Sequence, residues 1–183
     1  MIWIILGLAL WTLAHGFKRF APDRRAAMGD AGRGAVTGAI LISVVLMVIG
    51  YRAADPVFLW PAPGWAHPLN NLLMVLAVYL FAVGGARTGL ARRLRHPMLT
   101  GLIVWSVAHL LVNGDLESLI LFGGLGVWAV FAMVVINRAQ DWTPPAPSPL
   151  GKEIGVAVTS VIVFAVIGFI HRLIGPQAIY HGG

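Results

Sequence analysis

Residues 118–136 read SLILFGGLGVWAVFAMVVI, a run without a single charged side chain. A helix needs about 20 apolar residues to cross the hydrocarbon core of a bilayer, so this run predicts a transmembrane helix. Comparable uncharged runs cover Ile2–Gly16, Gly34–Gly50, Leu69–Ala86, Pro97–Val112 and Ile154–Ile170. The sequence therefore predicts an all-α polytopic membrane bundle of about six transmembrane helices.

The overall composition agrees with this prediction. Of the 183 residues, 58% are hydrophobic and 11% are charged, whereas about 25% of the residues of a soluble domain are charged. So little polar material excludes an ordinary soluble enzyme, a disordered chain and a coiled coil. The length predicts a single domain over residues 1–183. The absence of cysteine excludes disulfides, thiolate metal sites, iron–sulfur clusters and cysteine nucleophiles.

The basic residues are distributed unevenly between the apolar runs. Arg52 and Arg172 follow the second and sixth runs, whereas the other 11 of the 13 Lys and Arg follow the first, third and fifth. The positive-inside rule then places the three basic connections in the cytoplasm and both termini outside it. The net charge of +6 is thus a topology signal, supported by attraction to anionic membrane lipids. We therefore expect no nucleic-acid partner.

Two of the runs share a five-residue motif that ends in histidine. Residues 11–15 read Trp-Thr-Leu-Ala-His, and residues 105–109 read Trp-Ser-Val-Ala-His. Each run comes first in a set of three, and the two cross the membrane in opposite directions, as in an inverted repeat of three-helix halves. Ionisable side chains inside a membrane are costly, so His15 and His109 are candidate site residues.

Helix geometry shows which histidines could share a ligand. His15 and His109 each lie roughly 18–20 Å into their own helix, so in antiparallel helices their depths differ by about 6–10 Å. One metal ion could then be bound by both His15 and His109. His109 and His171 are the other pair that could bind one metal ion together. Two alternatives stay open: the histidines have a structural role, or they relay protons in a small transporter.

Local signals predict helix ends and close helix contacts. In His96-Pro97 the proline takes the first helical position. In the Asn-Gly-Asp segment 113–115 one helix ends at the glycine and Asp115 caps the next. The prolines within residues 144–149 predict a stiff extended linker. Gly34-x-x-x-Gly38 and Gly123-Gly124-x-Gly126 predict close helix contacts, which either pack helices or make room for a ligand.

Several of these motifs, taken together, resemble the NnrU family of integral membrane proteins, and the resemblance covers nearly the whole chain. Its most specific part is the central motif, from His-Pro to Asn-Gly-Asp. The matching residues of that motif are Arg95-His96-Pro97-Met98-Leu99-Thr100-Gly101, Trp105, Ala108-His109-Leu110-Leu111, Asn113-Gly114-Asp115, Ser118 and Leu121-Phe122-Gly123. The two ends of the chain contribute His15 with the basic loop after it, Gly50-Tyr51, Trp60 and the closing His171-Arg172-Leu173-Ile174-Gly175.

The resemblance implies a cellular location, a cofactor and a class of substrate. The family name comes from a link to nitrite and nitric oxide reductase expression in denitrifying bacteria, which implies a bacterial inner membrane. The related plant zeta-carotene isomerase is a histidine-ligated haem b protein that performs a redox-dependent cis–trans isomerisation. By this resemblance the chain binds haem b through His15 and His109, with His171 as a substitute, and acts on a lipophilic small molecule. The alternative is a non-enzymatic haem-binding accessory or sensor protein of nitrite and nitric oxide respiration.

A second resemblance is weaker. Arg95-His96-Pro97 followed by Gly101 is similar to the Arg-His-Pro-x-Tyr-x-Gly motif of membrane methyltransferases that bind S-adenosylmethionine. Here Leu99 replaces the tyrosine, and the paired downstream glutamates of those enzymes have no match, since the chain has only Glu117 and Glu153. These departures argue against methyl transfer.

Overall fold

The computed structural model describes residues 1–174, and this part of the chain is almost entirely helical. Short elements connect the longer helices: a 3-10 turn at Gly89–Arg92 and a π-helical segment at Leu119–Gly123. Among residues 1–174 β-type pairing is limited to an isolated bridge between Phe58 and Asp115. The α-helices are α1 (Ile2–Phe20), α2 (Pro22–Ala27), α3 (Gly29–Arg52), α4 (Ala66–Ala86), α5 (Pro97–Val112), α6 (Leu116–Ser118), α7 (Gly124–Ala139) and α8 (Leu150–Ile174).

Four helical stretches are long and apolar enough to cross a membrane, judged by length and composition. They are Gly29–Arg52, Ala66–Ala86, Leu116–Ala139 and Leu150–Leu173. The third joins α6, the π-helical segment and α7. The other two predicted spans correspond to α5, which is apolar but has 16 residues, and to α1, whose 19 residues end in a basic turn. The structure confirms an all-α polytopic membrane bundle.

The predicted ends of the spans agree with the helices to different degrees. The bounds of α5 are those predicted, because proline starts this helix and the Asn-Gly-Asp segment follows its end. The other helices are longer than the apolar runs. Helix formation continues into polar flanks at the membrane surface, where hydropathy alone gives no signal.

Packing between helices only partly follows the predicted inverted repeat. Helix α1 packs along α3, and α5 packs on α7, as equivalent pairs in two halves would. Helix α4 packs extensively on α5 and also contacts α8. Within residues 1–174 the equivalent pair α8 and α1 has no comparable packing. The two halves therefore share helix order and one interface, but not the full arrangement.

Glycine shapes the α1–α3 interface, at positions other than those predicted. A Cβ atom added at Gly7 or Gly50 would collide with the facing helix, and Ile4 beside Gly50 is fully buried. Gly34 and Gly38 have no neighbouring atom within 4 Å of such a Cβ position. The predicted close contact at Gly34-x-x-x-Gly38 is therefore wrong, because this glycine face meets no other helix among the described residues. The predicted contact at Gly123-Gly124-x-Gly126 is confirmed: a Cβ atom would lie 2.8 Å from Leu8 of α1 at Gly124 and 3.2 Å from Ser106 of α5 at Gly126.

The Asn-Gly-Asp segment joins α5 to α6 and supports a neighbouring loop. Helix α5 ends at Val112, and Asn113 is already extended, with φ −121° and ψ 96°. The Gly114 carbonyl oxygen accepts hydrogen bonds from the backbone N–H groups of Leu59 (2.7 Å) and Trp60 (3.0 Å). Gly114 follows the end of this helix but does not adopt a positive φ, so the left-handed conformation that glycine permits is not its role here. Its lack of a side chain instead permits the close approach of Trp60.

The start of α6 confirms the predicted cap. The Asp115 carboxylate accepts a hydrogen bond from the Ser118 backbone N–H at 2.7 Å. A cap of this kind satisfies a helix N–H group that would otherwise have no partner. The Ser118 hydroxyl also shares a 2.8 Å hydrogen bond with the Tyr51 hydroxyl of α3. The cap therefore lies where α3 and the long third span meet.

Candidate functional site

His15 is held in α1 by its own helix and by aromatic rings. Its Nδ1 is 2.9 Å from the Trp11 carbonyl oxygen. A carbonyl oxygen can only accept, so Nδ1 donates the proton and the neutral ring keeps a lone pair on Nε2. The imidazole centroid lies 4.1 Å from Trp11 and 4.8 Å from Trp128 of α7. These contacts leave Nε2 as the nitrogen free to bind a ligand.

His109 repeats this local arrangement in α5. Its Nδ1 donates to the Trp105 carbonyl oxygen, also at 2.9 Å, and its ring lies 4.5 Å from Trp105. The second aromatic neighbour is Phe122, which stacks on His109 at 4.3 Å from within the π-helical segment. Each histidine therefore adopts the same geometry relative to the tryptophan four residues before it. The repeated sequence motif is also a repeated structure.

The two histidines contact different aromatic residues. Trp128 and Phe122 are six residues apart on the long third span, which corresponds to about 9 Å along a helix axis. His171 of α8 lies within electrostatic range of His109. Its Nδ1 donates to the Ile167 carbonyl oxygen at 3.1 Å. His109 is thus within electrostatic range of His171, and its ring neighbours differ from those of His15.

A cavity of about 530 Å³ adjoins His15. Helix α1 contacts α7 without extensive contact with α4 or α5, and the space lies between these four helices. Phe20, Met98 and Phe131 line the cavity and are each more than half exposed, so it opens on the outer surface of the helices. Its wall also includes Trp11, Thr12, His15, Gly16, Arg19, Phe81, Leu99, Leu102, Trp128, Ala132, Val135 and Ile136.

The cavity wall has few polar groups, and most of them lie on α1. The described residues contribute the His15 imidazole, the Thr12 hydroxyl, the Arg19 guanidinium and the Trp11 indole from α1, and the Trp128 indole from α7. The Thr12 hydroxyl donates to the Leu8 carbonyl oxygen, whereas the buried Trp11 Nε1–H has no acceptor among the described residues. A ligand in this cavity would therefore meet one free imidazole nitrogen, one cation and apolar walls. His109 and His171 are not part of the wall.

Sequence reasoning missed several residues of this site. Arg19 was counted only as a topology signal, and Trp128 and Phe81 were treated as ordinary span residues. The position of Trp128 carried a usable signal, since membrane tryptophans favour the interfaces and this one lies near the middle of an uncharged run. Phe81 gave no such signal, because apolar aromatic residues are common throughout a bundle.

His96 has a structural role where the methyltransferase motif would need a chemical one. It precedes Pro97 at the start of α5, and its Nε2–H donates to Asn137 Oδ1 of α7 at 2.8 Å. Glu117, which is 4% exposed, lies at the start of the third span, and Glu153 lies near the start of α8. Those two helix starts are at opposite ends of the bundle. The structure therefore does not form the glutamate pair that such enzymes carry.

The histidines are not part of a larger cluster of metal-ligating side chains. Within residues 1–174, no three His, Asp or Glu side chains are placed so that they could hold a metal ion. Which of His15, His109 and His171 binds a ligand stays a prediction.

Comparison with known protein families matches residues 3–178 of the 183 to the family described as NnrU protein. The match extends from α1 to beyond the described end of α8 and includes the closing motif, whose Gly175 lies outside the described residues. No curated protein and no solved structure matches the chain. The resemblance predicted from the His-Pro to Asn-Gly-Asp stretch is confirmed. The chain belongs to the NnrU family of integral membrane proteins.

Proposed function

We propose that this protein binds haem b in the cavity beside α1, with Nε2 of His15 as the axial ligand. The observation that carries the proposal is the free imidazole nitrogen in the wall of an apolar cavity of about 530 Å³. Small-molecule and cofactor sites usually measure about 300–1,000 Å³. A haem iron takes most of its ligands from the porphyrin, so a single histidine can complete a site.

The surroundings of His15 suit an axial ligand. Metal-binding histidines almost always donate their other ring N–H to a carboxylate, a backbone carbonyl or a water. His15 does so through Nδ1 and the Trp11 carbonyl oxygen. Trp11 and Trp128 contact the ring from two directions and restrict its rotation. Orientation and basicity of Nε2 are therefore set before any ligand binds.

Other residues of the wall suit the rest of the cofactor. The Arg19 guanidinium can pair with a carboxylate, which haem carries on its propionates. The remaining wall is apolar and excludes water from the ring system. When bound, haem supplies one-electron redox chemistry and a coordination position on iron.

The opening of the cavity favours a lipophilic substrate. Met98 and Phe131 lie both in the wall and on the exposed helix surface, which in a membrane faces lipid. A hydrophobic molecule can then reach the cavity from the bilayer without crossing water. We propose redox-dependent isomerase chemistry on such a substrate as the first function.

A second candidate is a non-enzymatic haem-binding accessory or sensor protein of nitrite and nitric oxide respiration. Apart from His15 and Arg19, the described residues of the wall include no titratable side chain. With His15 on the metal and Arg19 on a carboxylate, no side chain of the wall is left to transfer protons. This composition suits electron transfer or sensing as well as a redox-triggered isomerisation.

The visible spectrum of the purified full chain tests the proposal. We expect protein expressed with supplementary haem and purified in mild detergent to show a Soret band and equimolar haem b by the pyridine haemochrome assay. Protein without Soret absorption would rule out both haem functions and leave the proton-relay alternative. Incubating the reduced haem protein with a cis-polyene and following the cis–trans ratio by chromatography would then separate the isomerase from the accessory protein.

We also propose that the basic connections face the cytoplasm of a bacterial inner membrane. The absence of native cysteine permits a direct test with Asp141→Cys after α7 and Gly64→Cys before α4, both of which are exposed. A membrane-impermeant maleimide should label Gly64→Cys in intact cells and Asp141→Cys only after permeabilisation. The reverse pattern would invert the proposed orientation.

A further inference from the structure

A second concavity, which shares no lining residue with the cavity at His15, lies at the end of the bundle that carries the basic connections after α1, α4 and α7. We call this end the basic end, defined by residues 18–33, 87–95 and 138–152. The concavity measures about 550 Å³ and is lined by Gly89, Leu90, Arg92, Arg93 and Pro144. It lies between the 3-10 turn after α4 and the proline-rich linker before α8.

The two arginines of this concavity carry uncompensated positive charge. Arg92 and Arg93 are both exposed, and among the described residues neither has an ion pair. Glu153 lies beside the concavity, and its carboxylate accepts hydrogen bonds from the Gly89 backbone N–H (2.6 Å) and from the Ser148 hydroxyl. Glu153 is thus engaged by neutral donors, and the concavity presents two adjacent guanidinium groups.

The walls of the concavity are held in place. The linker residues 140–149 contain prolines at 144, 145, 147 and 149, which restrict the backbone. At one end Arg95 donates to the Gln140 carbonyl oxygen, and at the other Glu153 ties the start of α8 to Gly89. The linker is therefore fastened on both sides of Pro144. A rigid site of this kind loses little conformational entropy when it binds a ligand.

The position of the concavity corresponds to the headgroup level of a membrane. It lies immediately after Ala86, where one predicted span ends, and shortly before Leu150, where another begins. The linker also carries the partly exposed Trp142, a residue type that favours membrane interfaces. A phosphate held here would be one carried by a lipid at the end of the hydrocarbon core.

We propose that this concavity binds the phosphate of an anionic phospholipid headgroup through Arg92 and Arg93. Guanidinium groups bind phosphate oxygens in bidentate fashion, and adjacent arginines can hold one phosphate from two sides. Basic pockets between helices on the cytoplasmic side suit anionic lipid headgroups. The site shares no residue with the cavity at His15, so it does not depend on haem binding.

Lipid binding to the detergent-purified full chain tests this site. We would titrate with phosphatidylglycerol or phosphatidylcholine and count bound lipids by native mass spectrometry. Both lipids carry a phosphate, but the choline cation gives phosphatidylcholine no net charge, whereas phosphatidylglycerol is an anion. Two guanidinium groups without an ion pair among the described residues therefore predict a preference for phosphatidylglycerol of about tenfold or more. Arg92→Gln/Arg93→Gln should abolish the preference. Arg24→Gln/Arg25→Gln in α2 removes the same charge from another adjacent arginine pair of the basic end and should change the preference by less than about twofold.

Three other outcomes would contradict the proposed site or show that its phosphate does not come from a lipid. If both double variants lose the preference for phosphatidylglycerol to the same extent, the lipid is attracted to the basic surface in general, and the proposed site is wrong. The absence of any preference in the unaltered protein would overturn it as well. Inorganic phosphate at millimolar concentration could also displace phosphatidylglycerol. If phosphate binding then requires Arg92 and Arg93 as well, the site is one for free phosphate. The melting temperature without lipid should be unchanged in Arg92→Gln/Arg93→Gln, because both arginines are exposed.

Discussion

Replacing His15 with alanine is expected to remove haem from the purified protein. The Nε2 atom of His15 is the ligand nitrogen that the cavity wall offers. Loss of an outer-shell partner of a metal ligand already costs about 10–100-fold in affinity, so loss of the ligand itself should cost more than about 100-fold. Haem content per chain, measured by pyridine haemochrome, should then fall to the background level.

Three matched variants show whether this loss is specific. His67→Ala changes an exposed histidine at the start of α4 and should leave haem content unchanged. His109→Ala and His171→Ala should also retain haem, because neither residue lines the cavity. If His109→Ala loses haem as completely as His15→Ala, the bis-histidine pair predicted from the sequence is the correct site. If His67→Ala alone loses haem, the assignment to His15 is wrong.

Restoring a free imidazole provides a check on folding. His15→Gly leaves space where the ring was, and imidazole in the buffer can occupy it. We expect added imidazole to restore haem to His15→Gly but not to change the unaltered protein. Unrestored haem in a variant that melts like the unaltered protein would contradict the role of His15 as ligand.

Replacing Gly114 with alanine is expected to destabilise the protein strongly. A Cβ atom at this position would overlap the Trp60 carbonyl group. The loop would have to move away, which breaks the hydrogen bonds from Leu59 and Trp60 to the Gly114 carbonyl oxygen. Overpacking costs about 1–3 kcal/mol, and each lost hydrogen bond adds about 1 kcal/mol. We therefore expect a loss of at least about 3 kcal/mol.

The yield of monodisperse protein and its melting temperature in detergent measure this effect. Gly64→Ala is the matched control, since it changes a glycine of the same loop region whose Cβ position has no neighbour within 4 Å. It should express and melt like the unaltered protein. Equal melting temperatures for Gly114→Ala and Gly64→Ala would show that the loop does not depend on the close approach at Gly114.

The membrane helices could be predicted because their signal is local. A run of some 20 residues without charge is costly in water and favourable in lipid, whatever the rest of the chain does. The run at 97–112 therefore gave the bounds of α5, with proline at its start. The ends of α3 and α8 extend beyond the apolar runs, because polar residues at the membrane surface can stay helical without changing the hydropathy signal.

The local geometry of the candidate histidines also followed from the sequence. A histidine four residues after a tryptophan lies on the same helix face, so the spacing places both rings of each motif on one face. The structure shows this contact at His15 and again at His109. Spacing within one helix is sufficient for such a prediction, because both residues belong to the same rigid element.

The sequence did not predict which faces of the helices contact each other. The cavity forms because α1 leaves space beside α4 and α5, and its lining depends on how four helices are rotated about their axes. Hydropathy is nearly uniform around a membrane helix, so it does not indicate which face meets a neighbour. For this reason Trp128 and Arg19 entered the site only with the structure, and Gly34-x-x-x-Gly38 was assigned a contact that it does not make.

Local composition and spacing were thus enough for the membrane class, the family and the shared helix face of Trp and His in each motif. Tertiary structure decided that His15 lines a cavity and that His109 does not. It also decided that Gly114 serves close approach and not a left-handed turn. The physical reason is the same in both cases: these properties depend on which surfaces of separate elements meet, and lipid-facing and protein-facing residues of a membrane helix are chemically alike.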